Sequence, residues 1–145
     1  TILFLTACSS TKYATPEQST MSELVTVENT SKEEAYTKSL EYFATNFGDS
    51  NKVIEIRDNV AKKVLGKVTV TYSGGIVPFN YGASFKLEFK DGRFKITYSN
   101  MTFRNPGPRY GDSLALSEVQ DAKVELNKIT VSLKDFITSV EEDSW

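Results

Sequence analysis

The chain has 145 residues, 39% of them hydrophobic, with 17 Lys and Arg against 19 Asp and Glu and a formal charge of −2. That length suits one globular domain, and so even a charge balance supplies no field to gather nucleic acid or an anionic membrane surface. There is no histidine and one cysteine, Cys8, which excludes Ser-His and Cys-His nucleophile pairs, an intrachain disulfide and the commonest nitrogen ligand of zinc.

Ile2, Leu3, Phe4 and Leu5 form an apolar run that passes through Thr6 and Ala7 to Cys8, with Ser9 and Ser10 after it. This resembles the lipobox of bacterial lipoproteins, in which small residues follow the apolar part of a secretory signal and the cysteine becomes the lipidated first residue. The chain starts at Thr1 without the positive n-region of a signal peptide, so residues 1–8 read as the end of one. The resemblance implies cleavage before Cys8, a diacylglyceryl group on its sulfur and a palmitate-type acyl group on the new amino terminus, with no other cofactor. More than one acyl chain makes such attachment stable. Ser9 in place of Asp fits outer-membrane sorting, so the expected location is the bacterial cell envelope, facing the periplasm or the cell surface. Residues 9–22 are rich in Ser and Thr, contain Pro16 and show no helical or strand period; they read as a flexible tether. No other stretch approaches 20 apolar residues, the length that spans a bilayer.

A single domain is expected over residues 23–143. It opens with a β-branched strand at residues 24–28. Ser31 and Glu34 form a capping-box pair ahead of a helix whose Tyr36, Leu40, Phe43 and Phe47 share one face, and Gly48 supplies the stop. Four strands follow, at residues 52–57, 63–72, 83–90 and 93–103. In the second, Val64, Gly66, Val68, Val70 and Tyr72 share a face; in the third, Phe85, Leu87 and Phe89 alternate with Lys86, Glu88 and Lys90. Asp91 and Gly92 are a type I′ hairpin signal. Phe94, Ile96 and Tyr98 point inward, and the alternation then shifts to Met101 and Phe103, which places a bulge near Asn100. The last element is a long helix with Ser117 and Gln120 as its capping pair. Val119, Ala122, Leu126, Ile129, Leu133, Phe136 and Val140 lie along one face, and β-branched Thr130 and Val131 weaken its middle.

Strand, helix, four strands, helix makes an α+β fold: a curved five-stranded antiparallel sheet with both amphipathic helices on its apolar face. The helix carrying Tyr36, Leu40, Phe43 and Phe47, the strand Val53 to Ile56, the Gly66–Lys67 step and the Asp91–Gly92 hairpin resemble a bacterial domain of unknown function with a TATA-binding-protein-like fold, common on lipoproteins. The resemblance implies a fold and a habitat and carries no catalytic or binding residue.

Candidate sites are sparse. Glu33, Glu34 and Glu41 on the first helix and Glu141, Glu142 and Asp143 at the tail are carboxylates of the kind that is usually solvated. Ser132 and Lys134 lack the spacing of a Ser-x-x-Lys dyad, and Ser10, Thr11 and Lys12 lie in the expected tether. The sheet face away from the helices is expected to show Glu55, Arg57, Lys67, Thr69, Thr71, Lys86, Glu88, Lys95 and Thr97, mixed in charge and without the apolar wedges that pry DNA apart. Two loops stand out. Residues 73–82 carry Ile76, Val77, Phe79 and Tyr81, either folded over the sheet edge or exposed for a partner; residues 104–112 carry Arg104, Arg109 and Tyr110, suited to an anion. The expected role is a lipid-anchored binding or structural module of the envelope, held to the membrane and contacting another envelope protein, with no metal and no nucleic acid. The alternative is a hydrolase of envelope polymers working through carboxylates.

Overall fold

The computed structural model describes residues 13–47 and 53–139. The elements are β1 (Met21–Thr26), α1 (Lys32–Asn46), β2 (Ile54–Asp58), β3 (Lys63–Tyr72), β4 (Phe79–Lys90), β5 (Arg93–Phe103) and α2 (Leu116–Thr138), in the order expected. The strands form one curved antiparallel sheet, β1-β5-β4-β3-β2.

Register and ring contacts place both helices on one face. Phe85 and Tyr98 are cross-strand partners and so point the same way. Phe43 of α1 stacks on Phe85 at 4.7 Å, and Thr130 of α2 meets the Tyr98 hydroxyl at 2.9 Å. Tyr36 adds an edge contact to Phe89 at 6.1 Å, and Tyr42 joins the helices through Phe136 at 5.7 Å. Gly66 lies opposite Phe85, where a Cβ would meet the ring at 2.8 Å and the Val53 carbonyl oxygen closer still. Glycine leaves room there for the Phe85 ring to lie down under α1.

Two local devices match the sequence. Ser31 caps α1 by accepting from the Glu34 N–H at 3.1 Å. On β5, Gly82 pairs Thr102 while Ser84 pairs Ser99, so one extra residue is inserted, and Asn100 takes it with φ +52°. The bulge exchanges the faces: Phe94, Ile96 and Tyr98 are buried before it and Met101 and Phe103 after it.

Other details differ from the sequence reading. β1 starts at Met21, paired with Tyr98, and residues 13–20 pack ahead of it. The Ala14 N–H donates to the Leu114 carbonyl at 2.7 Å, and Thr15 and Gln18 exchange side-chain and backbone bonds in a capping-box turn with Pro16 at its first position. Residues 13–22, expected in the tether, thus belong to the folded unit, because backbone pairing holds them where side-chain polarity suggested none. On β2 an irregularity between Ile54 and Ile56 puts Ile56 opposite Leu65 and Arg57 opposite Val64, so Ile56 replaces Arg57 on the open face. Asp91 does not adopt positive φ; only Gly92 does, at +78°. The turn is therefore not type I′. Gly92 is bonded through both its backbone groups to Thr30 and Val27, and the Asp91 carboxylate accepts from the Lys32 N–H at 2.9 Å as a second cap on α1. α2 begins at Leu116 after Ala115, and its first turn is closed by the Glu118 carboxylate accepting from the Ala115 N–H at 2.9 Å, not by Ser117 and Gln120. It runs unbroken through Thr130, and Ile137 is buried where Phe136 was expected. Gly48 and Val140 lie outside the described residues.

Candidate functional site

The β3–β4 connection is shorter than expected. Phe79 to Gly82 pair with Tyr72 to Thr69, leaving residues 73–78 as the loop. Asn105 joins it to the 104–112 segment: its Oδ1 accepts from the Asn80 N–H at 2.6 Å and its Nδ2 donates to the Pro78 carbonyl at 3.1 Å. The two stretches picked out separately in the sequence thus form one end of the domain. Ile76 is fully exposed there, with Val77 at 55% and Phe79 at 37%. Tyr81 is a correction: it is 1% exposed, in the core beside Phe103, because its place in β4 turns it toward α2. Burial, then the Glu118 and Asp121 charges, push its phenol up to about 12.

Of the three residues of the expected anion site, Arg104 and Tyr110 meet, while Arg109 is engaged elsewhere. Arg109 forks onto Glu118 through bonds of 2.9 and 2.7 Å, with its guanidinium 4.3 Å from the centre of the Phe103 ring. The hydrogen bond from Arg109 holds the Glu118 carboxyl below its ordinary value, against partial burial and with help from the Ala115 N–H. Arg104 donates to the Tyr110 hydroxyl at 3.3 Å. Its side chain lies over Gly82, where a Cβ would come within 2.6 Å of Nε. Arg109 is therefore a strap from the loop to the start of α2.

The larger feature is the sheet face that neither helix covers. Lys63, Glu88, Lys95 and Leu24 form one cross-strand row, Leu65, Lys86, Thr97 and Ser22 the next, and Lys90 pairs Arg93. Glu88 is taken by Lys86 at 3.6 Å and Glu55 by Lys67 at 3.8 Å. Lys63, Lys90, Arg93 and Lys95 make no ion pair among the described residues and, with Leu24, line a groove of about 600 Å³. Leu24 is 66% and Ile56 54% exposed. This face is more apolar than alternation indicated, because the β2 irregularity turns Ile56 outward in place of Arg57 and Leu24 lies on it opposite Lys95. Leu24 was legible as the partner of inward Val25 once the strand was recognised. Farther along the face, Lys67, Ser84, Asn100, Thr102 and Arg104 line a second groove of about 610 Å³, and the buried Thr102 hydroxyl has no partner among the described residues.

Carboxylates do not cluster. Glu33, Glu34 and Glu41 are exposed on α1, Glu34 pairing with Lys38 at 3.4 Å, and among the described residues no three acidic, His or Cys side chains gather as a metal site would need. Cys8, Glu141, Glu142 and Asp143 lie outside the described residues.

No curated protein sequence matches the chain. Among solved structures it is similar to a TBP-like protein from Parabacteroides distasonis, at 14% identity and TM-score 0.66 over 84% of this chain and 94% of that one. It is also similar to a DUF4468 family protein from Bacteroides ovatus, at 7% identity and TM-score 0.60 over 90% and 93%. At such identities the likeness is one of fold. The sequence pattern of DUF4468, a domain of unknown function with TBP-like fold, matches residues 22–104, from β1 through the bulged end of β5; on that match the chain belongs to the DUF4468 family.

Proposed function

We propose that this protein is a lipoprotein of the bacterial envelope, anchored at the outer membrane through Cys8, and that its domain works by binding another envelope protein across the open sheet face. One observation carries the binding reading. Both helices cover the same face, while the other presents Lys63, Lys90, Arg93 and Lys95, which make no ion pair among the described residues, between exposed Leu24 on β1 and exposed Ile56 on β2. The cations thus occupy the middle strands and the apolar side chains the two edge strands, and four cations with no ion pair among the described residues suit an acidic protein surface. Among the described residues no helix is long and apolar enough to cross a membrane, so a lipid on Cys8 is the attachment that the sequence offers.

The test has two parts. Processing of the precursor in cells blocked by globomycin, and lost in Cys8→Ala, establishes the anchor; unaffected processing removes it. A photo-crosslinking amino acid at Leu24 in the anchored protein is expected to capture one discrete species, which disappears when Lys63→Glu and Arg93→Glu are added. Capture insensitive to charge reversal rejects the open face as the binding surface.

A further inference from the structure

We infer that the exposed apolar loop at residues 73–78, together with Phe79, is a second membrane contact that inserts into the lipid interface beside the Cys8 anchor. The inference rests on the anchoring proposed above and adds where the domain sits and which way it faces. Its basis is where the chain enters the fold. The Ala14 N–H is bonded to the Leu114 carbonyl, next to Ser113, which bridges Thr102. Asp112 and Gly111 are bonded to the backbone of Phe103, and the Phe103 ring is 6.0 Å from that of Phe79. The segment leading from Cys8 therefore joins the domain at the end from which the 73–78 loop projects. Ala14 is only six positions after Cys8, and a chain that long reaches at most about 20 Å even fully extended.

A lipidated Cys8 would thus hold this end close to the bilayer surface, and the chemistry of the end suits that position. Residues 73–79 contain no charged side chain, so their entry into the interface desolvates none. Ile76 and Val77 are exposed and Phe79 is partly so, which leaves apolar surface free to enter lipid. Tyr110, 56% exposed on the adjoining loop, with Arg104 against it, offers an aromatic and a guanidinium of the type found at headgroup level. The opposite end differs. Lys90, Asp91 and Arg93 surround the β4–β5 turn, and Lys62 ends and Lys63 follows the β2–β3 turn, about 35 Å away along β4 at the rise of an extended strand.

The experiment uses the acylated full chain in phosphatidylethanolamine–phosphatidylglycerol vesicles with brominated acyl chains. Trp145→Phe removes the native indole, and a single reporter is then placed by Ile76→Trp or, at the far end, by Val60→Trp. Both positions are more than 90% exposed, so neither change disturbs packing. The expected result is quenching of the Ile76→Trp reporter several-fold stronger than that of the Val60→Trp reporter, with a blue-shifted emission. Equal quenching in protein that floats with the vesicles overturns the insertion and leaves the anchor standing. Failure to float overturns both.

Discussion

Arg109 and Glu118 are joined by two parallel N–H···O bonds of 2.9 and 2.7 Å, and the same carboxylate accepts from the Ala115 N–H at the start of α2. One side chain thus closes a helix end and fixes the 104–112 loop against it. The strap also positions Phe103, whose ring lies under the Arg109 guanidinium.

The strap makes stability depend on acid. The Glu118 carboxyl titrates below its ordinary value of 4.5 in the folded protein, so its contribution is complete above that value and is lost as pH falls through the depressed one. In urea denaturation, Glu118→Gln is expected to cost about 1 kcal/mol near neutrality, a figure reduced because Arg109 is partly exposed. Between pH 5 and 3, roughly the range of carboxylate titration, the variant should lose less stability than the parent. Equal losses would show that the fork contributes nothing net.

Tyr98 and Thr130 form a buried hydroxyl pair between sheet and helix, at 5% exposure or less on each side. Tyr98→Phe strands the Thr130 hydroxyl and is expected to cost about 1–3 kcal/mol. Adding Thr130→Val to that change should recover a large part of it, since removing both partners leaves nothing unsatisfied. A double-mutant cycle read by denaturation measures the coupling; additive losses would contradict it.

Burial pushes the Tyr98 phenol up, and Tyr81 to about 12. Both therefore favour the folded state fully below the ordinary phenol value of 10.0, and that contribution declines as pH rises through the folded values. Tyrosinate absorbance in an alkaline titration should show these two phenols ionising only with unfolding, and Tyr81→Phe should flatten the alkaline loss of stability.

The Thr102 hydroxyl is buried without a partner among the described residues. Thr102→Val keeps the β-branched shape suited to a strand and deletes an unsatisfied group, so it is expected to raise stability by up to about 1 kcal/mol. A loss on thermal denaturation would mean that the hydroxyl is engaged in solution.

Asn100 accepts φ +52° in the β5 bulge. Asn100→Gly should be near neutral, while Asn100→Val should cost about 1–3 kcal/mol through a left-handed backbone that β-branched side chains resist. Comparable stabilities of the two variants would show that the bulge relaxes.

Sequence alone determined the features that depend on neighbours a few residues apart. Apolar period specified both helices and the inward faces of β3, β4 and β5. The slip from Tyr98 to Met101 revealed the bulge before its geometry was known, because one extra residue must exchange the faces of a strand. Tertiary structure decided what depends on backbone pairing and remote partners. The pairing of Met21 with Tyr98 drew the polar stretch before residue 24 into the sheet, and Asp91 became a cap for α1, 59 residues away. Tyr81 and Arg109, both plausible on a surface, are occupied by contacts across the fold. Side-chain type states what a residue can bond to; only the folded chain decides which partner comes within reach.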